Sequence, residues 1–544
     1  MSGRSGGKTR VAGRPPRYYS RQYAPRSIAR KRRRRIIAHR LRLLLALVVL
    51  IVVATFGIRA LRSTHGIAPS AAPTPAVPTS PPFTSSFVRH GKPWSDADRA
   101  RVINAAAPIV NGAAFPATTG AIIMDAHTGR ILYEHDAHQP LVPASTLKVV
   151  VAATALHDLG PSHRFETQIV TGGAIRDGDL DGDLYLVGGG DPELATDDLR
   201  GAVHRMKSEG INVVSGAVVS DGSLYGPDAV NKTWDAEDLE YGWAAPPSAI
   251  TIDNGAVQFT LTPDPDGGLA TIQVDPPGAA GKIVGGVRSV SEDADNTLRI
   301  DPLPDGSGYA ISGQLPYGAP QKYWRSIAKP TAVAANVLRT IAFSDGIAVA
   351  GDAVIGKAPA GASTTLWTHL SRPLSGIVQR MALDSDNHIA EQLLRAVGAN
   401  DSGTGTLDNG LAAEHAFLAS IGADDPHNAL VDGSGLSAAD YVTAATLAAA
   451  LRSMLSGSDA QAEAALLPRV GLEGTVQYRP LASDVLGRVR GKDGYIEGAS
   501  GLAGYVETAH HGVVVYAFLV DNWQLGLDAI WAGEDDILAR LARM

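Results

Sequence analysis

A serine hydroxyl attacks a carbonyl only when a nearby base takes its proton, and an uncharged lysine one helical turn away can be that base. The segment "VPASTLKVV" at 142–150 contains such a pair, Ser145 and Lys148. It opens the run "TLKVVVAATALHDLG", which predicts a helix of about three turns ending at Gly160. Serine is also a favoured helix cap, so the spacing alone leaves two roles for Ser145. Ser5/Lys8 and Ser326/Lys329 share the spacing. Lys329 precedes Pro330, which pushes it out of helical geometry, and Ser5 lies in a basic tail. Two further polar triplets stand far along the chain: "SDN" at 385–387, in a stretch that reads as helical, and "KDG" at 492–494.

The elements that must bring these pieces together follow from periodicity. "TGAIIMDAHTGRILYEHDAHQP", from Thr119, predicts a β-hairpin around the turn residues 125–129. The stretch from Phe165 to Leu194 reads as strands and tight turns. Its "DGDLDG" lacks the closing glutamate of a calcium loop, since the twelfth position from Asp177 is Gly188, and is expected to be a solvated hairpin tip. Residues 212–319 are rich in short β-type runs. Helical patterns return in "TAVAANVLRTIAFSDG", "LSGIVQRMALDSDNHIAEQLLRAVG" and "TAATLAAALRSMLSG". "GLAGYVETAHHGVVVYAFLVDN" predicts two antiparallel strands, opened by the 492–494 triplet and followed by a closing helix near "DDILARLARM".

Charge divides the chain. Residues 1–42 carry 15 Lys or Arg and no acid, so of the whole chain's 48 basic and 55 acidic residues the rest keeps 33 basic against 55 acidic, a net of −22. No nucleic-acid partner is expected. Residues 43–61 form an apolar segment after "RKRRRR", and its uncharged stretch would rise roughly 24 Å as a helix. The expectation is a single-pass anchor with a basic cytoplasmic tail (1–42) and the remainder periplasmic or extracellular. A tail this long favours an anchor over a cleaved signal. Residues 62–92 hold a Pro-rich linker. The chain has no cysteine, which excludes disulfide and thiolate chemistry.

The order Ser-x-x-Lys, Ser-x-Asn, Lys-x-Gly resembles the signature of penicillin-binding proteins and serine β-lactamases. "GDLDGDLYLVGGGDPEL" (178–194), "WDAEDLEYGWAAPPSAI" (234–250), "VDGSGLS" (431–437) and "KDGYIEGASGLAGYV" (492–506) are similar to segments of the class C low-molecular-mass penicillin-binding proteins, the D-alanyl-D-alanine carboxypeptidase/endopeptidase family. The 240-residue interval from Ser145 to Ser385 fits that family's large insertion. The resemblance implies an α/β sandwich of the serine β-lactamase/transpeptidase type in two pieces (93–163 and 362–544), interrupted by a β-rich insertion (164–361) with a nested part near 250–318.

It also implies a serine DD-peptidase acting on peptidoglycan stem peptides and inhibited covalently by β-lactams, with no metal or organic cofactor. Ser145 would be the nucleophile and Lys148 its base. Ser385 would relay a proton, Asn387 would hold the substrate amide, and Lys492 would attract its terminal carboxylate. Backbone amides of Ser145 and Tyr495 would form the oxyanion hole, with Gly494, the last residue of the triplet, lining the substrate site beside Tyr495. Asp238 and Trp243 match positions that recognise a cationic stem-peptide side chain. The departure is Asp493, where the family has threonine. An ionised aspartate accepts hydrogen bonds only and repels a carboxylate, so a catalytically weakened homologue that binds peptidoglycan as a scaffold is the alternative.

Overall fold

The computed structural model describes residues 91–544 except 117, 228, 361–363, 456–459 and 524. The expected basic tail, the apolar segment and the linker as far as residue 90 lie outside the described residues. Among the described residues no helix is long and apolar enough to cross a membrane.

Five antiparallel strands form the sheet that carries the site: β1 (Thr119–Asp125), β2 (Ile131–His135), β3 (Val489–Ile496), β4 (Ala499–Glu507) and β5 (Val513–Asp521), in the order β2-β1-β5-β4-β3. Side chains alternate across a strand, so the unbroken apolar run "VVVYAFLV" of β5 must be covered on both faces. It is. Val513, Val515, Ala517 and Leu519 enter one core, while Val514, Tyr516 and Phe518 enter another. Phe518→Ala would open a cavity in the second core costing about 3–5 kcal/mol.

Helices α1 (Asp96–Val110) and α7 (Leu527–Ala542) cover the face bearing Tyr516 and Phe518. The opposite face packs on α6 (Ala444–Met454), with α2 (Lys148–Asp158), α3 (Leu374–Asp384), α4 (Asn387–Ser402) and α5 (Leu407–Ser420) in the same core. Helix α2 lies deepest, apolar nearly all round and in contact with α3, α4, α5 and α6.

The chain between α2 and α3 folds around a core of its own. A five-stranded sheet runs in the order 353–355, 218–221, 184–187, 166–171, 364–370, beside the helices Thr196–Ser208 and Pro330–Ser344. Because Thr364–Leu370 pairs with Glu166–Thr171, this sheet extends to Leu370. Smaller sheets are built from strands between Ala256 and Ser326. The tip Arg176–Asp179 joins two paired strands, as its turn residues suggest.

Three local readings need correction. The expected helix at Ser145 starts as a tight 3₁₀ turn, Ala144–Leu147, and becomes α-helical at Lys148; the Ser145 hydroxyl caps nothing. The helical stretch expected across 374–398 is two helices, broken at Ser385–Asp386. The 492–494 triplet lies on β3, a third strand ahead of the expected terminal pair.

Candidate active site

Ser145 occupies the tight turn before α2, preceded by Ala144 at φ +46°, a left-handed conformation costly for a residue with a Cβ. Two close approaches hold that turn. A Cβ on Gly435 would lie 1.9 Å from the Ala144 carbonyl oxygen, and one on Gly494 would lie 2.8 Å from the amide nitrogens of Ser145 and Thr146. Only glycine lets the 431–437 turn and the edge strand β3 press this close.

Lys148 is buried, with Nζ 2.9 Å from Ser145 Oγ, 2.7 Å from Asn387 Oδ1 and 2.7 Å from the Ser434 carbonyl oxygen. An uncharged amine has two N–H donors and one lone pair. With the donors given to Asn387 and Ser434, the lone pair is left for the Ser145 hydroxyl. Burial lowers the Lys148 pKa to about 7 and the Lys492 cation pushes the same way, against Asp432, Asp386 and Glu391. The free base is therefore populated near neutrality.

The Ser-Asp-Asn triplet is a helix junction. Ser385 ends α3 in the left-handed conformation (φ +55°), Asp386 caps α4 by accepting from the Ile389 amide at 3.1 Å, and Asn387 is the first residue of α4. Asp386 also accepts from Asn254 Nδ2 of the insertion at 2.5 Å. The break turns Asn387 onto Lys148. Ser385 Oγ is buried with no hydrogen-bond partner among the described residues, so it is available to a bound molecule.

On β3, Lys492 Nζ donates to the Asp493 carbonyl oxygen at 2.6 Å and to Asp493 Oδ1 at 2.9 Å. Asp493 Oδ1 also accepts a short hydrogen bond from Thr475 Oγ1. Burial alone would raise the Asp493 pKa; Lys492 and the hydroxyl of Thr475 outweigh it, so the carboxyl titrates below its usual range and is ionised. The Lys492 charge is thus paired inside the protein. Tyr495 pairs with Ser500 across the sheet.

Asp238 and Trp243 lie on the insertion. The Trp243 indole donates to Asp238 Oδ1 at 3.2 Å and stacks on Tyr241 at 4.2 Å. Burial, opposed by the Trp243 hydrogen bond, raises the Asp238 pKa. The turn carrying Trp243 packs against α4, which begins with Asn387. The candidate residues therefore fall into one group around Ser145 and Lys148, with Lys492 and Asp493 on the adjacent edge strand and Asp238 with Trp243 on a neighbouring wall.

The match to known proteins spans this whole arrangement. Residues 104–543 match the D-Ala-D-Ala carboxypeptidase 3 (S13) family. The chain belongs to that family. As a member it is a serine D-Ala-D-Ala peptidase, with a mixed α/β fold. It is 32% identical over 441 residues to a D-alanyl-D-alanine carboxypeptidase of Actinomadura sp. strain R39, covering 78% of this chain and 81% of that one. It is 27% identical over 421 residues to the D-alanyl-D-alanine carboxypeptidase DacB of Haemophilus influenzae, covering 75% and 86%. The crystal structure of penicillin binding protein 4 from H. influenzae superimposes with a TM-score of 0.70 at 25% identity, covering 80% of this chain and 99% of that one. The same protein has been solved in complex with a β-lactam.

Sequence reasoning missed several participants. Glu391 accepts from the amides of Gly433 and Ser434, both at 3.0 Å. Asp432 accepts from the amides of Ser434, Gly435 and Ser437 and from the Trp234 indole at 2.8 Å. Glu391 had a signal, four residues and so one turn beyond Asn387. Thr475 had none, because only the fold brings it to Asp493.

Proposed function

We propose that Ser145 is the nucleophile of a DD-peptidase cycle on peptidoglycan stem peptides and Lys148 its general base. Ser145 Oγ attacks the carbonyl carbon of the penultimate D-alanine while Lys148 takes the hydroxyl proton. The tetrahedral oxyanion meets the backbone amides of Ser145 and Tyr495. Collapse breaks the C–N bond, and Ser385 relays to the departing amine the proton that Lys148 took, which leaves the lysine free to accept the proton of the incoming water. Water then attacks the ester on Ser145 and frees the shortened peptide and the enzyme. Asn387 keeps its side-chain NH₂ for a substrate carbonyl, since its oxygen faces Lys148. Lys492 attracts the carboxylate next to the leaving nitrogen, and Asp238 with Trp243 receives the cationic stem-peptide side chain.

The observation that carries this reading is the buried lysine amine held 2.9 Å from the serine hydroxyl by two further acceptors. The experiment is incubation of the full-length protein with a fluorescent penicillin and mapping of the label: stable labelling on Ser145 supports the assignment, and labelling elsewhere removes it. A weakened, peptidoglycan-binding homologue is favoured only by the Asp493 carboxylate on Lys492; no labelling of folded protein would select it.

Residues 43–61 are proposed as a membrane anchor, with 1–42 cytoplasmic, 62–92 a spacer and the catalytic part outside the membrane, on the strength of the charge asymmetry and apolar run. Detection of the protein in the soluble extracellular fraction alone would argue against it.

A further inference from the structure

Lys148 needs its two N–H groups occupied to keep its lone pair on Ser145, and one of the two acceptors is a loop carbonyl, that of Ser434. A loop carbonyl is only as well placed as the peptide it belongs to. Glu391, buried on α4 one turn after Asn387, holds that peptide: its Oε1 takes the amides of Gly433 and Ser434, both at 3.0 Å. Asp432 holds the other side of the turn through the amides of Ser434, Gly435 and Ser437. Asn387 and Glu391, both on α4, thus supply or secure both acceptors of the lysine.

We propose that Glu391 is a positioning residue for the general base: it fixes the Ser434 carbonyl against Lys148, and its charge helps set the pH at which the amine becomes free. The proposal rests on the reading of Ser145 and Lys148 above.

The charged surroundings decide the sign. Asp432 on the loop and Glu414 on α5 act on Glu391, Arg395 one turn further along α4 opposes them, and Tyr225 of the insertion faces Arg395. Asp440 stands beside Asp432. Lys148 itself also faces Lys492 and Asp386. Burial first, then Asp432, raises the Glu391 pKa to about 7, so lysine and glutamate titrate in the same range. An ionised Glu391 stabilises the charged lysine; removing that charge lets Lys148 lose its proton at lower pH.

The test is a set of variants in the full-length protein. Glu391→Gln keeps an acceptor oxygen and removes the charge, so the acid limb of kcat/KM should move to lower pH by at least about half a unit and narrow to a single proton. Glu391→Ala should lower kcat about tenfold or more with KM nearly unchanged, and Glu391→Gln should rescue most of that loss. The Lys148 side chain, labelled with ¹³C and assigned by its absence in Lys148→Arg, should titrate at lower pH in Glu391→Gln. This NMR readout needs no turnover and decides the matter even if the alanine variant does not fold. An unshifted Lys148 titration in Glu391→Gln, or a folded Glu391→Ala with wild-type kcat and acid limb, would overturn the proposal. If penicillin fails to label Ser145 in the wild type, the catalytic reading falls instead, and the lysine titration reports the Glu391–Lys148 coupling separately.

Discussion

Replacing Asp493 by threonine tests the electrostatics of the site most directly. In the structure Asp493 Oδ1 sits 2.9 Å from Lys492 Nζ, and the lysine side chain is only 1% exposed. A ligand carboxylate bound about 4 Å from Nζ would lie on the order of 6 Å from the Asp493 carboxylate, where an effective dielectric near 20 gives a repulsion of about 2.8 kcal/mol. The Asp493 side chain is 17% exposed, so solvent weakens this; about half, ~1.4 kcal/mol, is a tenfold change in rate. Asp493→Thr should therefore speed acylation by a carboxylate-bearing penicillin, and kcat/KM on D-Ala-D-Ala peptides, about tenfold. Asp493→Asn should do nearly the same if charge is the cause. Neither should speed cleavage of a peptide ending in a carboxamide. There is a cost: Lys492 would keep only the carbonyl of residue 493, and a buried cation stripped of its partner costs about 3 kcal/mol or more. Thermal unfolding should show that loss, partly restored once the penicillin carboxylate is bound. Stopped-flow labelling measures the rate. Folded variants that acylate at or below the wild-type rate would refute the idea that Asp493 repels the ligand carboxylate.

Ser145→Ala should abolish peptidase activity and penicillin labelling while changing stability by no more than about 1 kcal/mol, because the hydroxyl's hydrogen bond is to Lys148 and caps no helix; residual covalent labelling would refute the assignment. Asp238→Ala should reduce cleavage of peptides with a free cationic side-chain end about tenfold or more relative to acetylated ones, through loss of a charge-assisted contact, and equal losses on both would remove Asp238 from recognition. Gly435→Ala would drive a methyl to 1.9 Å from the Ala144 carbonyl and impose a side chain at φ +71°, so penicillin labelling should slow by a factor of about ten or more and stability fall by about 1–3 kcal/mol. Unchanged labelling and melting temperature would show that the Ser145 turn tolerates displacement.

The β1–β2 hairpin, the α2 helix from Lys148 and the two long terminal strands were legible in the sequence because each is set by local periodicity: turn residues at 125–129, an apolar run ending at Gly160, and the unbroken apolar β5. The Ser145–Lys148 contact was legible too, since a three-residue separation stacks side chains in a 3₁₀ turn as well as in an α-helix. The distant triplets were readable by type and order, while what they touch was not. That Ser385 ends one helix and Asp386 starts the next depends on a left-handed serine that packing imposes. Whether Asp493 faces a ligand or its own neighbour turned on Thr475, which lies 18 residues earlier and on no shared element. Glu391 and Asp432 look in the sequence like ordinary acids on a helix and a turn, and only the folded chain buries them behind Lys148. Periodicity and residue order are local and survive in a string of letters; the burial that lowers the Lys148 pKa, and the through-space partners that aim its lone pair, exist only when segments hundreds of residues apart are packed together.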